Sequence, residues 1–219
     1  MDKLRLRFEK TGRAVYISHL DLMTTMQRGF ARAGYRLKYS EGFNPHPLIS
    51  ILLPLSVGAA SLCELMDFRL AEDADLHEMP ARLSGALPEG LRVLEAYEQT
   101  RKSAELKWLR IRGEFEYDER DPVKMAAGLQ AFFARDQISI MKKTKRGTGE
   151  ADIRPAIRKI NFDPGVRKVD IITTVSAQEP TLNPELLVSS LRQLQPDLTP
   201  DFARFTRLET FDADMKVYR

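Results

Sequence analysis

The chain has 219 residues, 43% apolar and 30% charged, which can bury one large core or two small ones and does not indicate disorder. It holds no apolar run of about 18 residues, and the opening MDKLRLRFEK lacks the apolar stretch of a signal peptide, so a cytoplasmic protein with no membrane partner is expected. The single cysteine, Cys63, excludes an internal disulfide, a multi-cysteine zinc site and a three-cysteine iron–sulfur cluster, and its setting reads as an ordinary half-buried position. His19, His46 and His77 show no metal-ligand spacing, so neither metal nor cofactor is expected.

In chain order the first element is a strand, LRLRF, with Leu4, Leu6 and Phe8 on an apolar face and Arg5 and Arg7 on a charged one. A helix opens at SHLD, where Ser18 caps the first turn and Asp21 sits three residues on; Leu22, Met26, Phe30 and Ala33 form its apolar stripe and Gly34 ends it. A short strand RLKYS follows, then the loop SEGFNPHP. A strand ELMDFRL, a helix in DLHEMPARLSGAL begun or broken by Pro80, and a strand LRVLEAYE complete a β-α-β-β-α-β series.

From Arg101 the series repeats. LKWLRIRGEFEY is a long strand in which Trp108 anchors the core, PVKMAAGLQAFFAR a helix with Met125, Leu129 and Phe132 inward, and QISIMKK a strand. After a basic, glycine-containing turn the return strand is expected near IRKINF, followed by VRKVDIITTVSA, a helix NPELLVSSLRQL capped by Asn183, and a last strand ARFTRLETF. The expected fold is α+β: two tandem ferredoxin-like (βαββαβ) units with antiparallel sheets, residues 1–100 and 101–219, the second carrying a basic hairpin insertion.

Charge marks one segment. Residues 141–159 hold seven basic and two acidic side chains, a net +5 within a chain whose total is +3. Lys142, Lys143, Lys145 and Arg146 crowd the turn that ends in GTG, where like charges repel and an anionic backbone would relieve them. Asp152 and Arg154 are read as an ion pair at the base of this hairpin. The loop YSEGFNPHPLIS admits two readings. In one, Gly42, Pro45 and Pro47 shape a connector and Phe43 plugs the core. In the other, Lys38, Tyr39, Asn44 and His46 form a rigid RNA-contact platform. His19, at the first helical position and flanked by Tyr16, is a further possible site, with a neutral ring favoured by the positive end of the helix dipole.

The blocks VYISHLDLM, RGFARAG, KYSEGFNPHPLIS and LPLSVG, and again KKTKRGTGEADIRPAI, resemble a bacterial family of radical-SAM-linked proteins, free-standing or fused behind a radical SAM module. The resemblance covers essentially the whole chain. It implies work on RNA or the translation apparatus, with tRNA or rRNA as partner, beside a radical SAM enzyme. The chain lacks the Cys-x3-Cys-x2-Cys triad and so at most serves such an enzyme. The expectation is an RNA-binding accessory protein rather than an enzyme. The alternatives are a metal-independent endoribonuclease resembling CRISPR repeat-processing enzymes, and a protein–protein adaptor.

Overall fold

The structure, a computed structural model, describes residues 3–144 and 147–219, without the side chains of Lys143 and Thr144. The chain divides into two compact units, Met1–Glu105 with Arg219, and Leu106–Tyr218. Both are mixed α+β with antiparallel sheets.

The first unit runs β1 (Leu4–Lys10), a 3₁₀ turn (Gly12–Tyr16), α1 (His19–Arg32), β2 (Ile49–Ile51), β3 (Ala60–Phe68), α2 (Met79–Ala86) and β4 (Leu91–Glu98). Its strands lie in the order β4-β1-β3-β2. Ser18 Oγ accepts from the Asp21 amide at 3.2 Å and donates to its carboxylate at 2.7 Å, so the start of α1 is capped as the sequence indicates. Gly34, at φ +81°, ends the helix while the Tyr35 amide reaches back to the Phe30 carbonyl. Leu4, Leu6, Phe8, Met66 and Phe68 pack beneath Leu22, Met26 and Phe30 of α1 and Met79 and Leu83 of α2. Gly29 faces Leu87 closely, so that a Cβ there would sit 2.7 Å from its terminal methyl and the leucine would have to shift.

The second unit runs β5 (Trp108–Glu116), α3 (Pro122–Phe133), β6 (Ser139–Thr144), β7 (Gly147–Asp152), β8 (Ile157–Pro164), β9 (Lys168–Ser176), α4 (Glu185–Leu194) and β10 (Phe202–Phe211). Its sheet has the order β10-β5-β9-β8, and β6 and β7 form a separate two-stranded hairpin. Leu109, Ile111, Phe115, Val169, Ile171 and Phe205 are buried, as are Leu129, Phe132 and Phe133 of α3 and Leu187, Val188 and Leu191 of α4.

Five expectations are corrected. RLKYS is not a strand; Leu37 and Tyr39 make only isolated bridges, because the backbone turns out through the loop before β2 forms later, at Ile49. The strand returning against β6 is β7, not IRKINF, which is β8 and pairs with β9. Trp108 is half-buried on the face opposite the core, one register position from Leu109. Arg5 is wholly buried rather than on a solvated face. Cys63, expected half-buried, is fully buried.

Candidate nucleic-acid interface

Loop Lys38–Leu48 projects between α1 and β2 and is closed by its own backbone. The Leu48 amide donates to the Lys38 carbonyl (2.8 Å), the Ser40 amide to the His46 carbonyl (2.8 Å), and the Lys38 amide to the Arg69 carbonyl of the sheet (2.9 Å). Tyr39 and Pro47 bridge across the neck. Gly42 takes φ +113°, a conformation that side chains resist, so the glycine lets the tip fold back.

This closure decides where the side chains go. Phe43, read as a core plug in the connector reading, is fully exposed at the tip; the positive-φ turn points it away from the core. Tyr39 is 54% exposed, and Lys38, Asn44 and His46 are exposed beside it. Ser40 Oγ lies 2.9 Å from His46 Nδ1 and accepts from the His46 amide at 3.1 Å. His46 also lines a shallow groove of about 290 Å³ whose other walls include Lys3, Ser50, Arg69 and Gln99. An ordered loop thus carries two exposed aromatic rings, an imidazole, an amide and a lysine, the groups that stack on bases and bind phosphate.

The other candidate residues lie apart from this loop. His19 is exposed at the first position of α1, and its imidazole makes no hydrogen bond to a described residue. Lys142, on β6 of the second unit, is half-buried opposite Gly149. Lys145 and Arg146 lie outside the described residues, as does the side chain of Lys143. At the hairpin base Asp152 is not ion-paired to Arg154; its Oδ1 accepts the backbone amides of Ile138 and Arg154, each at 2.9 Å. The Arg154 guanidinium instead donates to the carbonyls of Arg135 and Ile157. The hairpin is held from the side by Gln193 of α4, whose amide group accepts from the Met141 amide (2.8 Å) and donates to its carbonyl (3.1 Å).

Buried charge was the main feature the sequence reading missed. Arg5 donates through Nε and a terminal nitrogen to Asp67 (2.6 and 3.1 Å) and to the Arg101 carbonyl. Lys10, also buried, donates to the Val15 carbonyl, and its burial lowers the ammonium pKa while Glu64 opposes the shift. Among the described residues no cluster of three or more His, Cys, Asp or Glu is arranged to hold a metal, and no helix is long and apolar enough to cross a membrane.

Residues 3–184 match the family described as "Uncharacterized protein conserved in bacteria (DUF2344)". No curated protein matches the chain. Among solved structures, a chain of a Cbf5-Nop10-Gar1 complex matches 94% of this chain at 10% identity and TM-score 0.48. The present chain covers 48% of that one, about half its length. An unknown protein from Galdieria sulphuraria matches 94% of this chain at 10% identity and TM-score 0.27, with 98% of that protein covered. Neither likeness bears on function.

Proposed function

We propose that this chain, which belongs to the bacterial family of uncharacterized conserved proteins (DUF2344), is an RNA-binding accessory protein whose Lys38–Leu48 loop is a contact surface. The observation that carries the reading is Phe43, fully exposed on a loop whose neck is tied by backbone hydrogen bonds. Held in water, the phenyl ring contributes no burial to the fold and stays available to a partner. A pre-ordered ring loses little entropy when a base stacks on it. Lys38 supplies a phosphate partner, and Tyr39, Asn44 and His46 supply further base or sugar contacts.

The two units are read as tandem ferredoxin-like repeats. Their shared β-α-β-β-α-β order supports this, as do the matching sheet orders β4-β1-β3-β2 and β10-β5-β9-β8, with β6 and β7 inserted in the second. The basic hairpin is a second contact, supported by the charge of Lys142, Lys143, Lys145 and Arg146 in the sequence. Presentation of a tRNA or rRNA substrate to a radical SAM partner rests on the family resemblance of the loop and hairpin blocks. Ultraviolet crosslinking of RNA to the full chain, mapped by mass spectrometry, should place adducts on Phe43 or Tyr39. Adducts elsewhere only would overturn the loop assignment.

A further inference from the structure

The second unit's sheet buries one face in its core; on the other, Thr174, Ser176 and Phe211 are covered while Arg110, Arg112, Ile172, Lys159 and Asn161 are exposed. On β5, Leu109, Ile111 and Phe115 take the buried face, so alternation sends Arg110, Arg112, Glu114 and Glu116 to the other. Register fixes the neighbours there. Arg110 lies opposite Thr174, which lies opposite Lys159; Arg112 lies opposite Ile172, which lies opposite Asn161. The next rung along is Glu114, Asp170 and Asp163, with Arg204 on the β10 side.

The two ends of this face differ in how their charge is met. At the Glu114 end the ions neutralise one another: Lys168 pairs with Asp170 (2.9 Å) and Glu114 (3.6 Å), and Arg204 pairs with Glu114 (3.2 Å) and Glu116. At the other end Arg110, Arg112, Arg158 and Lys159 form no ion pair with any described residue. Glu209, opposite Arg110 in register, gives its Oε1 to the Thr210 amide instead. Two of the guanidinium groups are held by rings rather than carboxylates, Arg158 at 5.3 Å from the Trp108 centroid and Arg110 at 5.0 Å from that of Phe211. A ring fixes the plane of a guanidinium while leaving its N–H edge free to donate. Arg110 and Arg112 sit two residues apart on one face, roughly 7 Å from each other, a repulsion that an anion spanning both would offset. Between them and Asn161 stands Ile172, 41% exposed.

We infer that this end of the sheet binds a single-stranded RNA segment, its phosphates on Arg110, Arg112, Arg158 and Lys159 and a splayed base over Ile172 beside Asn161. Charge complementarity selects a polyanion. The apolar and amide groups in the same rung select unstacked bases, which a duplex hides. The inference rests on the RNA-binding reading above and adds a third surface to the loop and the hairpin.

The test uses the full chain and a labelled single-stranded RNA of about 12 nucleotides. Arg112→Gln with Lys159→Gln should leave the melting temperature unchanged, weaken binding about tenfold at low salt, and make the plot of log affinity against log salt shallower by about 1.4, two phosphate contacts' worth. Arg112→Lys should keep the wild-type slope. An unchanged slope in the double variant overturns the sheet face, and if Phe43→Ala weakens binding in the same assay the loop reading survives it. No binding by the wild-type chain overturns both. An equal loss on a duplex of the same length overturns the single-strand assignment. Displacement of the RNA by polyglutamate at equal charge concentration would make the patch a protein-binding surface instead.

Discussion

Ser40 and His46 face each other across the neck of the exposed loop, the serine hydroxyl 2.9 Å from the imidazole Nδ1 and accepting from the histidine amide at 3.1 Å. The ring adds an exposed Nδ1 contact to a neck already closed by backbone hydrogen bonds and leaves Nε2 without a partner among the described residues. His46→Ala and Asn44→Ala should therefore change stability by about half a kcal/mol or less, as exposed polar residues do, and should reduce RNA affinity. Gly42→Val is expected to do the reverse of neutral. At φ +113° a β-branched residue is strained by about 1–3 kcal/mol even though open space surrounds it. Melting curves paired with binding titrations separate the two effects, and wild-type affinity in both polar variants would make the loop a connector.

The basic hairpin gives a second outcome. Changing Lys142, Lys143 and Arg146 together to Glu should weaken RNA binding strongly and make its salt dependence shallower, because each neutralised phosphate releases counterions. Gln193→Ala removes both hydrogen bonds to the Met141 backbone and should weaken RNA binding less, by loosening the hairpin rather than discharging it. Equal losses in the two variants would mean that hairpin placement, not charge, matters.

Removing one partner of a buried ion pair leaves a charge stranded. Arg5 is fully buried and Asp67 is only 27% exposed, so Asp67→Ala should destabilise the first unit by about 3 kcal/mol. Chemical denaturation measures this directly. A loss below about 1 kcal/mol would show that the Arg101 carbonyl and water suffice for the guanidinium.

Acid should weaken the second unit through Asp201. The Asp118 amide (2.8 Å), first, and then the Arg120 guanidinium (2.7 Å) hold its carboxyl below the ordinary value of 3.8. The unfolded chain then takes up this proton before the folded one does. The contribution is complete above the unfolded value and is lost as pH falls through the folded one. Asp201→Asn should be less stable than wild type at neutral pH, with the two denaturation midpoints converging as pH falls through the folded value. A gap that persists unchanged in acid contradicts the linkage.

Much of this fold was legible because its signals are local. Ser18 with Asp21, Gly34 after α1, Pro80 at the start of α2 and the alternation in LRLRF each report their own surroundings, and each element formed where its pattern lay. What failed was non-local. Nothing within RLKYS says that its hydrogen bonds go to a loop and an isolated bridge. Alternation assigned Arg5 to water because the carboxylate that lets it be buried lies 62 residues away. At the site, Lys38, Tyr39, Asn44 and His46 could be named as one group because one loop carries them all. Phe43 reads from the sequence only as a core plug, and it is exposed instead, since the direction of its side chain depends on how Gly42 turns, which composition does not state. The charged face of β5 was present in the alternation of LRIRGEFE, but its division into a neutralised and an unneutralised end needed the register with β9 and β10.

The most direct test of the central claim is a salt titration of single-stranded RNA binding by the full chain and its Phe43→Ala variant. The wild-type chain should bind with an affinity that falls steeply as salt rises. The variant should bind about tenfold more weakly at every salt concentration, with the same slope, because a stacked base is lost and no phosphate contact is. Identical curves for the two proteins, or no RNA binding by the wild-type chain, would contradict the account.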